Sequence, residues 1–419
     1  MVVGIIIGAS IFVQPSEINR HVGSAAGVLA VWAAAGALTL CGALVCAEFS
    51  SAFPRTGGVY VFLNESFSPL FGFLWGWAMF WSAHSGIIAA SAVILARYAG
   101  YFVPLGEWGV KGAAIAAILA LSAVNYLGVR QGSRLQTAVT AAKLAAIALL
   151  LALAFVLGHP AASPGSAAAR QAAPVGGFVL GVGAALFAFG GWHMVTYTAG
   201  ETRDPRRVIP RALLAGTLIV TACYLGLNAA YLHLLPLDRV TASTRVAADA
   251  AAAVAGARGA AVVSALVVLS AVGVLNGVIL AGPRTYFAMA EEGLAFRRLA
   301  AIHPRFRTPY VALLLQAAWS SVLVATGTYR ALFTRVVYTE WVFFALLGVG
   351  LLRVRRRPGY EPHYRVPYAW LPAVFAAASL AVAAIAIAAA PAQAVSGLLL
   401  VMLGLPVYRL WIRKPHAHR

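Results

Sequence analysis

Lys143 lies in LQTAVTAAKLAAIALLLALAF, an apolar stretch with no acidic residue within one helical turn. A charged side chain deep in a bilayer costs several kcal/mol, which marks such a residue as functional. A desolvated lysine can shed its proton, or its ammonium can fill a site that would otherwise hold a metal cation. The alternative is a side chain that snorkels to the nearer surface, about two turns away. Glu340, in VVYTEWVFFALL, is the second ionisable candidate: it can line a pathway, pair with a basic group or make an interhelical hydrogen bond. His84 (FWSAHSG) and His193 (GGWHMV) read as proton carriers or as packed hydrogen-bonders. Asn276 (GVLNGV) is a candidate pathway residue that, like Asn125, also reads as glue between helices.

The backbone offers chemistry as well. VVGIIIGASIFVQP carries Gly4, Gly8, Ala9 and Ser10, and GVGAALFAFGGWHMVTYTAGE carries Gly181, Gly183, Gly190 and Gly191. Small residues also permit close helix packing. Their recurrence five spans apart is the pattern of a secondary transporter, whose site lies where two helices unwind. An unwound segment in a bilayer must line a cavity, because its amides and carbonyls have lost their partners. Half-helix N-termini suit a carboxylate and half-helix C-termini suit an ammonium. Two such breaks facing each other make a receptor for a zwitterion.

These groups need elements to position them. Of 419 residues, 62% are hydrophobic and only 10% charged. A soluble protein has about 25% charged residues, so this chain belongs in a membrane. Twelve apolar stretches are long enough to cross one: 1–20, 25–48, 69–100, 112–128, 135–157, 176–200, 210–235, 259–289, 309–327, 331–352, 367–389 and 392–412. Each must be helical, because an open strand cannot face lipid. The expected fold class is an all-α polytopic membrane protein. The first stretch starts at Met1, so that helix is either unusually short or begins upstream. Residues 158–174 read as an irregular Pro-rich loop, and AADAAAAVAGA within 236–258 as a short surface helix.

The net charge of +19 does not imply a nucleic-acid partner, since no basic tract carries interleaved aromatics. With the N-terminus inside, 21 of the 31 lysines and arginines fall in inside loops and the C-terminus and nine in outside loops; Lys143 is the last. That bias places both termini in the cytoplasm. Cys41, Cys46 and Cys223 lie in apolar stretches and form no disulfide framework or metal pair. The sequence implies no cofactor and no metal. A membrane-embedded enzyme would need clustered His, Asp, Glu or Cys, and here they are isolated.

At these residues the chain resembles the amino acid–polyamine–organocation superfamily, and within it the L-type amino acid transporters. VVGIIIGASIF is similar to the first-helix motif of that family, usually G-S-G-I-F. EFSSAFPRTGGVYVFL, TAAKLAAIALL, LFAFGGWHMVTYTAGETRDPRRVIPRAL, LNGVILAGPRTYFAMAEEG and GLPVYRLWIRKP resemble further family segments in the same order. The resemblance implies a LeuT-type fold: inverted five-helix repeats at 1–157 and 176–352, then two extra helices at 367–412. It implies sodium-independent amino acid transport across the cell inner or plasma membrane, by exchange or linked to protons. A polyamine or other organic-cation carrier is the alternative.

By the same resemblance, the substrate carboxylate meets amides around Gly8, Ala9, Ser10 and Ile11, and its amine meets the carbonyls of Ile6 and Phe187. Phe187 gates the site, Ala188, Phe189 and Gly190 shape the side-chain pocket, and Lys143 stands in for a bound sodium ion. The chain departs from the family at Gly8–Ala9–Ser10, usually G-S-G, where a side chain occupies a position commonly glycine, at Phe189, commonly tyrosine, and at His193, often asparagine. Some relatives link to a heavy subunit through a cysteine after the third helix. Residues 101–111 contain none, so no disulfide-linked partner is expected.

Overall fold

The computed structural model describes residues 1–12, 14–160, 175–243, 245–327, 329–389 and 391–412. Every regular element among them is helical. The first apolar stretch is not one helix: α1 (Val2–Ile6) stops, a 3-10 turn covers Ala9–Phe12, and α2 (Gln14–Val22) follows. Then comes α3 (Ala25–Ala52), whose N-cap Ser24 accepts a hydrogen bond from the Gly27 amide at 3.2 Å. The short α4 (Val59–Ser66) leads to α5 (Pro69–Ala78), which opens on a proline at a position where no helical amide is needed. A π-helical turn, Met79–Ala83, joins α5 to α6 (His84–Ala99). Two continuous helices complete the first half, α7 (Glu107–Tyr126) and α8 (Val129–Val156).

The second half opens with α9 (Val175–Ala188), which breaks before a 3-10 segment at Trp192–Glu201. There follow α10 (Pro205–Leu234), the short α11 (Leu237–Ala242) and α12 (Val246–Ala255), and the 35-residue α13 (Ala257–Glu291). The last elements are α14 (Tyr310–Thr326), α15 (Tyr329–Val354), α16 (Leu371–Ala389), α17 (Pro391–Met402) and α18 (Gly404–Ile412). Among the described residues, eight helices are long and apolar enough to cross a membrane. Of the other four stretches, the first is broken, α14 has 17 residues, 331–352 falls within the 26-residue α15, which is not among those eight, and the last is split by a turn at Leu403. The alanine-rich surface helix is present as α12. Most of the Pro-rich loop, 161–174, lies outside the described residues.

Lipid is as apolar as leucine, so helices associate in it through close packing and polar contacts. The apolar window of α13 is 72% buried, against 17% for α7 and 22% for α8, which sets α13 at the centre and the other two toward lipid. Around it pack α1, α6, α8 and α12, and α3 lies along α10. Gly4 permits the approach of α1 to α8: a Cβ there would stand 2.2 Å from Thr140 Oγ1.

One end of the bundle is tied by ion pairs. The Glu48 carboxylate, fully buried at the end of α3, accepts hydrogen bonds from Arg355 Nε (2.8 Å) and Nη2 (2.5 Å). It also accepts from the Val366 amide (2.7 Å) and the Tyr360 hydroxyl (3.3 Å). That carboxylate holds the Arg355 guanidinium above its ordinary pKa, and burial with Glu48 beside it pushes the Tyr360 phenol up. Nearby, Arg284 donates to Glu201 at 2.7 and 3.1 Å, and Tyr60 to Glu292 at 2.7 Å. Burial and then Glu292 push the Tyr60 phenol well above its usual range.

Removing one partner of a buried pair strands the other, at a cost of about 3–5 kcal/mol. Arg355→Ala is therefore expected to lower the thermal unfolding midpoint in detergent well below that of an exposed control such as Arg206→Ala. Equal midpoints would show that the Glu48 cluster does not hold this end together.

Candidate functional site

The two breaks meet. α1 ends at Ile6 and α9 at Ala188, and Gly191, in the left-handed region at φ +91°, redirects the chain after the second break. A side chain at Gly191 would stand 2.5 Å from Ile5 Cγ2, so the glycine lets the second break lie against the first.

The carbonyls freed at the end of α1 are claimed by two side chains. Lys143 Nζ donates to Gly4 O (3.2 Å), to Ile7 O and to Ser270 O of α13 (3.3 Å). The side chain is fully buried and turned inward, so it does not snorkel. Its ammonium meets the partial negative charge of a helix C-terminus within a cluster of oxygens such as a small cation would need. Tyr224 of α10 places its hydroxyl 2.9 Å from Ile6 O and 2.9 Å from Ala188 O, one donor shared by both breaks. The Ile6 carbonyl expected to face a substrate amine thus already accepts from Tyr224, with its second lone pair remaining.

A cavity of about 130 Å³ opens where the breaks face each other. Ile6, Gly8 and Ser10 line it from the first break, and Phe187, Ala188 and Gly190 from the second. α15 adds Glu340, Trp341 and Phe344, α6 adds Ile87 and Ser91, and α3 adds Thr39. Mostly apolar walls with a few converging polar groups are what a small-molecule site requires.

Other expected residues lie elsewhere. Ala9 and Ile11 belong to the 3-10 turn beside the cavity, with Ile11 packed in the core. Phe189 turns away from the cavity onto Trp32 and Tyr224, ring centroids 6.1 and 4.9 Å apart, so it does not shape the pocket directly. Asn276 does not line the cavity. It donates to Gly132 O (3.1 Å) and Gln136 Oε1 (2.8 Å) and accepts from Asn125 (2.8 Å), joining α13 to α7 and α8. His193 sits behind the cavity wall, its Nε2 3.7 Å from Glu340 Oε1, while His84 bonds Tyr286 at 2.9 Å.

Sequence reading passed over Tyr224, Thr39 and Ser91. A hydroxyl in an apolar span, as in TACYLGL, is the one signal each carried, and many such hydroxyls only bond their own helix. Tyr224→Phe leaves two buried carbonyls without this donor, an effect of about 1–3 kcal/mol. It is expected to speed amide exchange across residues 4–12 and 187–192 while the rest of the protein exchanges as before. Unchanged exchange there would deny Tyr224 the bridging role.

Comparison with known proteins agrees with this architecture. The profile of the family described as amino acid permease matches residues 1–407. The serine/threonine exchanger SteT of Bacillus subtilis is 31% identical across 97% of this chain and 94% of its own length. The human b(0,+)-type amino acid transporter 1 is 29% identical, covering 98% of this chain and 86% of the relative. The human cystine/glutamate transporter is 26% identical over 100% of this chain and 85% of the relative. On a match that runs through both breaks, Lys143 and the cavity wall, the chain belongs to the amino acid permease family.

Proposed function

We propose that this protein carries amino acids across a membrane without sodium, by alternating access to the cavity between the two breaks. The observation that carries the reading is the pair of interrupted helices facing one small cavity, with the Lys143 ammonium seated among the carbonyls behind the first. A cation fixed by the chain leaves that oxygen cluster no need of a sodium ion. The substrate carboxylate meets the amides around Gly8, Ala9, Ser10 and Ile11. Its amine meets the carbonyls of Ile6 and Phe187, with the Phe187 ring as a gate and Ala188 and Gly190 bounding the side chain.

In this reading 1–157 and 176–352 are inverted five-helix repeats, each supplying one break, and 367–412 adds two helices. Both termini face the cytoplasm of a cell inner or plasma membrane, as the loop charges require. The chain works without a disulfide-linked heavy subunit. Glu340 gives the organic-cation reading its one foothold, being the sole carboxylate among the residues that line the cavity. A diamine would ask for two.

Proteoliposomes loaded with unlabelled amino acid and given labelled amino acid outside test the reading, across a panel of twenty, with and without sodium. Saturable counterflow that is indifferent to sodium is expected, with a diamine competing poorly. Sodium dependence, or better competition by the diamine, would overturn it. Each charge-assisted hydrogen bond of Lys143 is worth about 1.5–3 kcal/mol. Lys143→Ala is accordingly expected to slow counterflow by about tenfold or more, while the purified variant still elutes as a monodisperse species. Wild-type rates in that variant would reduce Lys143 to a packing role.

A further inference from the structure

Glu340 is an unusual wall for an apolar cavity. Among the described residues, the one basic side chain within ion-pair reach of it is His193, at 3.7 Å. The Glu340 side chain keeps 13% of its surface, open to the cavity, whereas His193 is fully buried. Neither ring nitrogen of His193 has a hydrogen-bond partner among the described residues. The imidazole is held instead by rings: Trp75, Trp192, Tyr197 and Phe344 stand around it at centroid distances of 5.2 to 5.6 Å. Buried polar atoms are nearly always satisfied, so a partnerless imidazole beside a carboxylate calls for a ligand. The remaining titratable groups beside the pair are Tyr197 from the same turn and His84 from α6, with Tyr286 of α13 bonded in turn to His84 and Cys46 of α3 near Tyr197.

We propose that Glu340 and His193 together form a proton-binding site of the cavity, and that one proton crosses with each amino acid in net transport. The proposal rests on the transport reading above and adds to it the coupling ion. With one proton the pair is neutral, whether the proton sits on Glu340 Oε1 or His193 Nε2. With none it leaves a carboxylate ionised against aromatic walls. In an empty carrier, water in the cavity solvates that carboxylate. An amino acid filling the cavity displaces this water, and an ionised carboxylate without water or a cation is costly. The loaded carrier therefore closes with the pair protonated, the empty one with the pair unprotonated. The proton leaves water on the side of uptake, rides on the pair, and returns to water when the other side opens. Exchange of one amino acid for another moves no net proton, because the pair stays protonated on both legs.

The test uses the reconstituted full chain with a trapped pH-sensitive dye and the amino acid that gives the fastest counterflow. External amino acid should acidify the lumen by about one proton per molecule taken up, the first of the two that a coupled carboxylate–imidazole pair binds. An acidic exterior should accelerate net uptake severalfold, and a protonophore should abolish that gain while sparing counterflow. Glu340→Gln and His193→Gln should bring the proton-to-substrate ratio of whatever uptake remains close to zero, and Glu340→Asp should keep it. Should both glutamine variants carry nothing, the wild-type measurement decides alone. Absent counterflow would sink the transport reading itself. Counterflow with no acidification, with alkalinisation, or with acidification that survives in Glu340→Gln would overturn the proton pair and leave the transport reading standing.

Discussion

A peptide group that leaves its helix inside a bilayer has no water to turn to, so its partner must be supplied by the protein. Two helices of this chain stop in the bilayer, at Ile6 and at Ala188, and the arrangement around them answers that demand. Lys143 from α8 takes up the carbonyls of Gly4 and Ile7 and reaches α13 through Ser270. Tyr224 from α10 takes up Ile6 and Ala188. Two side chains thereby fix α1, α8, α9, α10 and α13 relative to one another, and the cavity is the space they leave.

The same two contacts separate scaffold from site. Groups that satisfy the breaks lie behind them, fully buried, while the break residues that face the cavity, among them Gly8, Ser10, Ala188 and Gly190, are mostly small. A substrate can then use backbone atoms directly, at short range and without a side chain to reposition. Apart from Lys143, Glu340 and His193, the charged contacts described above lie elsewhere. The Glu48, Arg284 and Tyr60 contacts gather at one end of the bundle.

Much of this was legible. Membrane residence followed from 10% charged residues, and the two breaks followed from glycines five spans apart. Lys143 stood out as the one lysine or arginine assigned to a span and not to a flanking loop. Whether it snorkelled or turned inward was not legible, because both rotamers suit the same helix and only the neighbouring carbonyls choose between them. Asn276 shows the converse: an amide in a span reads alike on a pathway or between helices, and only the fold reveals that it bonds Asn125 and Gln136. Phe189 occupies a pocket-shaping position by resemblance, yet its ring packs on Trp32, because a chain that unwinds no longer follows helical periodicity.

The sequence alone determined the solvent, the helical character and the places where helices had to fail, since these depend on local composition and on backbone needs that hold for any fold. Tertiary structure alone decided which atoms meet at those failures. Lys143 stands 139 residues from Gly4, Tyr224 stands 218 from Ile6, and 147 positions part His193 from Glu340. No local pattern encodes such a pairing, because it arises only when separate helices pack side by side.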